Sequence, residues 1–152
     1  MKERTVTDSQ MKLSKFGIEH IGNGRKIKAG TLLMSFKLTL GKTAFAGKDL
    51  FTNEAICALI LKDEYDTDEI KEYLYHVLPL IDYTPYAQRA AKGLTLNKDL
   101  LPTVEVPFPD KSKRMDIVKK KVALSVEKKE LQALLLQNSV KYQDFVETEI
   151  IG

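Results

Sequence analysis

The sequence predicts an α+β fold: a compact mixed α/β domain of short strands and a helix, followed by a long C-terminal coiled-coil-like helix. Three observations carry this. Residues 30–61 hold short apolar runs bounded by glycines and turn residues, too short for ordinary helices. Residues 66–80 carry one apolar stripe at helical spacing. Residues 111–151 contain neither proline nor glycine and are rich in strong helix formers. The expected division is therefore 1–110 for the compact domain and 111–152 for the helix. An apolar fraction of 43% is enough to supply a core.

Taken in order, residues 1–29 are polar and broken by Gly17, Gly22 and Gly24. They are expected to be loop or irregular structure without an opening strand. Three strands are expected next, at 32–40, 43–46 and 55–61, the last of which would also suit a helix. Glycines at 30, 41 and 47 punctuate this stretch, and Lys37, Lys42 and Lys48 stand beside the breaks. Asp66 with Glu69 three residues later has the spacing of a capping box. Ile70, Tyr73, Leu74, Val77 and Leu78 then form a single helical face, ended near Leu80 by Pro79. Residues 82–94 read as loop, and the alternation at 103–107 reads as an edge strand closed by Pro107 and Pro109. The final stretch would make a helix on the order of 60 Å long. Ile117, Lys121, Leu124, Lys128, Leu131, Leu135, Asn138, Tyr142 and Phe145 follow the 4-3 spacing of a coiled-coil seam. Such a stripe needs a partner helix, from a second copy or from another part of a longer chain.

Charge is unevenly spread. The net charge is +6 over residues 1–49, −6 over 50–86 and +3 over 87–152. An acidic middle between basic flanks predicts one basic face, which attracts polyanions. No run of about 18 apolar residues exists to span a membrane, and the N-terminus lacks the apolar core of a signal peptide. Cytoplasmic residence is the expectation. The single cysteine, Cys57, allows neither an internal disulfide nor a cysteine-based zinc site and is expected to be a small buried hydrophobe.

Chemistry finds little support. Gly41-Lys42-Thr43 lacks the earlier glycine of a phosphate-binding loop; Phe36 occupies that position. His20 and His76 have no metal-ligand spacing, and His76 is expected at the surface. No serine sits in a nucleophile elbow. The acids of 63–72 read as a helix cap and a solvated face. No catalytic residue, metal ligand or resident cofactor is expected.

The stretch G-T-L-L-M-S-F-K-L-T-L-G-K at 30–42, followed by N-E-A-I at 53–56, resembles the specificity subunits of type I restriction-modification enzymes. The later order is similar too: a helix with Tyr73-Leu74-Tyr75, a Gly-Leu-Thr-Leu-Asn stretch at 93–97, a Pro-x-Pro segment and a long closing helix. The likeness covers roughly residues 25–137. It departs at Pro107-Phe108-Pro109-Asp110, where the family usually writes Pro-Pro-Leu-x-Glu-Gln, and in having fewer residues before Gly30. The resemblance implies one target recognition domain plus its spacer helix, either a fragment or a half-length subunit. It also implies that the domain reads half of a split duplex DNA sequence in the major groove, without chemistry of its own. S-adenosylmethionine, ATP and Mg²⁺ would belong to the methylation and restriction subunits that are its partners.

From the residues themselves, the candidate phosphate contacts are Lys37, Lys42, Lys48, Arg89, Lys92 and Lys98, with Thr39, Thr95 and Asn97 as polar partners. Arg89, Gln88 and Asn97 are the first choices for reading bases. Ser35, Gly41 and Asn53 are expected to hold the fold. The candidate helix-pairing residues are Ile117, Leu124, Leu131, Leu135 and Tyr142. A second reading makes the chain a non-catalytic assembly module whose helix pairs with partner subunits and whose basic face is incidental.

Overall fold

The structure, a computed structural model, describes residues 3–9, 12, 14–20, 26–90, 93–96 and 99–151. It divides into two compact units, Met1–Phe108 and Pro109–Gly152. The first unit contains, in order, β1 (Thr5–Val6), α1 (Lys15–His20), β2 (Leu32–Ser35), β3 (Lys37–Leu38), β4 (Thr43–Ala46), β5 (Ile56–Leu59), α2 (Asp68–Val77), β6 (Ala87–Ala90) and β7 (Gly93–Leu96). The second is α3 (Lys111–Val146), which runs into a π turn at Glu147–Ile151. The fold is therefore mixed α+β with a long C-terminal helix, as the sequence predicts.

The strands form two sheets. The larger has the order β1-β4-β2-β5, and the smaller β3-β7-β6. In the larger, β2 is antiparallel to β4 and β5, and β1 lies parallel to β4. A strand covered on both faces can be apolar throughout. Hence Leu32-Leu33-Met34 shows no alternation, and none of the three is more than 3% exposed. Each such burial contributes about 1.5–3 kcal/mol. Ile27, Leu33 and Ala46 form one buried cluster, with Leu50, Ile56 and Ala58 packed against it.

The expected strand at 32–40 is in fact two, because the chain changes sheets at Phe36. The Phe36 N–H donates to Ala55 O at 2.9 Å, and its carbonyl accepts from Leu96 N at 2.9 Å. One residue thus joins both sheets, and its buried ring anchors the joint. The expected loop at 82–94 is another correction. Thr84–Tyr86 forms a 3-10 turn, and β6 then starts an antiparallel hairpin with β7. In the opening segment, expected to be irregular, the described residues include β1 and α1. β1 takes its hydrogen bonds from β4, a non-local partner that no local pattern reveals.

Helix α2 starts one residue later than the capping box implied. Thr67 is its N-cap, accepting from Ile70 N at 3.3 Å, and Asp66 instead pairs with Lys71 at 2.6 Å. Ile70, Tyr73, Leu74 and Val77 are its buried face, as the spacing requires. Pro79 converts the next turn to a 3-10 helix at Leu78–Leu80. Residues 103–107 are not a strand. A 3-10 turn at Leu101–Thr103 leads into a run outside both sheets. Pro102, Pro107 and Pro109 cannot donate to a ladder there. The Tyr73 hydroxyl donates to Pro107 O at 2.6 Å instead.

In the second unit, Asp110 caps α3 by accepting from Lys113 N at 3.0 Å. Among the described residues, no helix is long and apolar enough to cross a membrane.

Candidate nucleic-acid interface

The small sheet is built from two distant parts of the sequence, β3 and the pair β6 and β7. The strands themselves, 37–38, 87–90 and 93–96, contain no aspartate or glutamate and carry one lysine, Lys37, and one arginine, Arg89. The fold brings them side by side. Lys37 on β3 is opposite Thr95 on β7, and Thr95 is opposite Gln88 on β6. With strands about 4.8 Å apart, this polar row spans roughly 10 Å. The neighbouring row is Leu38, Leu94 and Arg89. By strand alternation Leu96 shares a face with Leu94 and Arg89, and Thr95 shares the other with Gln88; Phe36 and Leu96 are buried, whereas Gln88, Arg89, Leu38 and Leu94 are exposed.

The turn between β3 and β4 is fixed by Ser35. Its hydroxyl donates to the Thr39 carbonyl and accepts from Lys42 N at 3.1 Å, while Gly41 N donates to Ser35 O at 2.9 Å. Gly41 has φ +73°, and a Cβ there would meet Tyr83 Cε2 at 2.4 Å. Only glycine fits both the angle and the space. The Tyr83 hydroxyl donates to Leu78 O at 2.9 Å, and burial pushes its pKa up to about 12. Asn53 braces the next turn by accepting from Ala55 N at 3.0 Å. Ser35, Gly41 and Asn53 thus hold the fold, as expected.

Lys37, Gln88, Arg89 and Thr95 therefore share one small sheet, and Thr39 and Lys42 lie on the turn that leaves it. Thr39 and Lys42 are exposed, and Lys37 and Thr95 are half-buried, the Lys37 ammonium lying 5.9 Å from the centre of the Phe36 ring. Among the described residues, no acid is in ion-pair distance of Lys37, Lys42 or Arg89, whereas Lys26 and Lys28 both reach Asp49. Lys48 is not part of this group. It is beyond the far end of β4, where its charge helps hold the Asp8 carboxyl below its usual range, after the backbone N–H of Ser9 and Lys12. Lys92, Asn97 and Lys98 lie outside the described residues.

A second cluster sits at the other edge of the large sheet. The Arg4 guanidinium makes two hydrogen bonds to the Glu72 carboxylate and lies over the rings of Phe45 and Tyr75, at 5.2 and 5.0 Å. Phe45 and Tyr75 stack at 5.4 Å. The Arg4 bond is the main reason Glu72 ionises below the usual carboxylate range. His76 belongs to this cluster and is not the surface residue expected: its side chain is 10% exposed, with Nε2 3.1 Å from Glu72 Oε1. Sequence spacing could have paired Glu72 with His76, four residues apart on one helix face. Nothing local pointed to Arg4, 68 residues away.

Cys57 is a free, half-buried thiol that burial pushes up from its ordinary pKa. Among the described residues, no group of three or more His, Cys, Asp or Glu could hold a metal ion.

On α3, Leu124, Leu131, Leu135 and Tyr142 of the expected seam are exposed, Tyr142 by 70%, and Ile117 is half-buried. A second exposed apolar row, Val122, Val126, Leu136 and Val140, lies on roughly the opposite side of the helix. Charge changes sign along α3 and its continuation. Residues 111–121 hold six basic side chains against one acid, and residues 141–151 hold three acids against one lysine.

No protein-family model matches the chain, and a search of curated proteins finds none that matches it.

Proposed function

We propose that the unit ending at Phe108 recognises duplex DNA by sequence, as part of a specificity subunit of the type I restriction-modification kind. The observation that carries this is the acid-free small sheet, with Lys37, Thr95 and Gln88 in one cross-strand row. A two-stranded ribbon fits the major groove. In this reading Lys37 and Lys42 neutralise phosphates, and the edge strand β6 presents Gln88 from one face and Arg89 from the other. Glutamine is suited to the paired donor and acceptor of adenine, and arginine to the two acceptors of guanine. The lysines position the duplex, and the groove-facing side chains discriminate.

The helix α3 is then the pairing element. Leu124, Leu131, Leu135 and Tyr142 take a helix from a second copy or from the second half of a longer subunit. The change of charge along the helix favours an antiparallel pair, which sets each basic end against an acidic one. The opposite apolar row is left for another partner, the methylation subunit being the natural one. The chain itself performs no chemistry in this scheme. S-adenosylmethionine, ATP and Mg²⁺ come with the methylation and restriction subunits.

Selection from a random duplex pool at low salt, alone and with a methylation subunit, tests the reading. One short enriched motif is expected, bound with log K falling about 0.9 per phosphate contact per log unit of salt. No enriched motif under either condition would refute it. The exposed stripe of α3 also supports the plainer assembly-module reading. In that case duplex binding is absent from the start, and only substitutions such as Leu131→Asp or Leu135→Asp have an effect.

A further inference from the structure

We propose that Leu38, with Leu94 beside it, recognises the C5-methyl group of thymine. The inference rests on the DNA-recognition reading and adds a chemical identity to one contact. It starts from an oddity of backbone. The Thr39 N–H donates to the Lys37 carbonyl at 2.8 Å, closing a three-residue γ-turn on Leu38. Leu38 has φ +67° and is the non-glycine residue of positive φ among those described. The positive-φ γ-turn is rare and strained, and such strain persists only where the surroundings impose it. Here they do. The Ser35 hydroxyl is hydrogen-bonded to Thr39 O on one side and Lys42 N on the other, and Gly93 lies against Leu38 from β7.

The result is a leucine held out into water, 60% exposed, whereas Phe36 two residues before it and Leu96 on β7 are buried. Glycine or asparagine would take this backbone angle more easily. Leucine therefore brings something other than geometry. Leu94 is opposite it in register and also exposed, so the two make a small apolar spot. Arg89 completes the same cross-strand row, opposite Leu94, and Lys37 and Lys42 flank the turn in sequence. An apolar spot in register with an arginine that pairs with no acid among the described residues fits a polyanion that itself shows an apolar feature. In the grooves of a DNA duplex that feature is the thymine methyl, which projects into the major groove.

The test uses the full chain and the duplex motif enriched from the random pool. Replacing thymine by uracil in that motif removes only the methyl groups. The wild-type protein is expected to lose about fourfold in affinity for each contacted methyl. Leu38→Gly is expected to bind the thymine and uracil duplexes equally. Glycine also relieves the backbone strain, so a midpoint of thermal unfolding at or above wild type shows that the fold is intact. Leu94→Thr, which keeps a strand former, is expected to reduce the discrimination in part. Equal binding of both duplexes by the wild-type protein overturns the inference and leaves the DNA reading standing. So does a uracil penalty that survives in Leu38→Gly. If Leu38→Gly leaves duplex binding unaltered but lowers the molecular mass in solution, the leucine belongs to a protein interface and the inference is wrong. If the wild-type protein binds no duplex, both readings fall.

Discussion

Gly41→Ala is expected to destabilise the first unit by about 2–4 kcal/mol. Two costs combine. An alanine at φ +73° enters a region that L-residues disfavour, worth about 1 kcal/mol. The new methyl would also lie 2.4 Å from Tyr83 Cε2 and 3.0 Å from Leu78 O. The Tyr83 ring cannot swing away without giving up its hydrogen bond to Leu78 O, so overpacking adds about 1–3 kcal/mol. Urea unfolding, followed by near-ultraviolet circular dichroism, measures the sum. With a slope of about 2 kcal/mol/M, the midpoint should fall by about 1–2 M at unchanged slope. A double-mutant cycle separates the two costs. In a Tyr83→Ala background the ring is gone, and Gly41→Ala should cost less, about 1 kcal/mol for the backbone plus the remaining contact with Leu78 O. If Gly41→Ala shifts stability by less than about 0.5 kcal/mol, or costs the same with and without the Tyr83 ring, the close approach is not what selects glycine.

Thr67→Ala should cost about 1 kcal/mol in thermal or urea unfolding, because the hydroxyl caps α2, whereas Asp66→Ala should cost less. Glu72→Gln tests the Arg4 tie by acid titration. Because Glu72 ionises below its unfolded value of about 4.3, its stabilisation is fully present above that pH and disappears as pH falls through the lower folded value. The stability gap between wild type and Glu72→Gln should therefore close below about pH 4; a gap that persists unchanged down to pH 2 would contradict the tie. Lys37→Ala should weaken duplex binding evenly across sequences and reduce the salt slope by about 1, while Gln88→Ala should relax preference at one position. Leu131→Asp and Leu135→Asp should lower the mass measured by light scattering and leave the unfolding of the first unit unchanged.

The sequence revealed those elements whose stabilising partners are local. The face of α2 and the length of α3 follow from spacing and composition alone, and β4 was placed at 43–46 by its flanking turns. What stayed hidden depends on distant pairing. β6 and β7 looked like loop because Gln88, Arg89 and Thr95 offer little apolar alternation; their order comes from pairing with each other and with β3. Residues 32–40 looked like one strand because an apolar run does not say which sheet it serves, and the change at Phe36 is visible only in its two main-chain partners. The reverse error arose at 103–107, where alternation suggested a strand but prolines deny the ladder its donors. Among the candidate contacts, Lys37, Gln88, Arg89 and Thr95 come together through register, and Lys48 is excluded by being past the other end of β4. Leu38 was indistinguishable in sequence from its core neighbours, since no local pattern encodes a positive φ at a leucine.

The parallel pairing of β1 with β4 has a consequence for solubility. β4 is Thr-Ala-Phe-Ala, uncharged and free of proline, the kind of edge that recruits strands from other molecules. Two residues of β1 cover it, through Phe45 N to Arg4 O at 2.7 Å and Gly47 N to Val6 O at 2.9 Å. So short a cover cannot hold by its own ladder. The Arg4 grip on Glu72 keeps it shut, and acid loosens that grip. Acidification below about pH 4 should therefore uncap the edge of β4 and seed aggregation before the core melts. The same contact would arise late in folding, since its two strands lie about 40 residues apart and close the longest loop in the large sheet. Until then the nascent sheet carries a sticky margin.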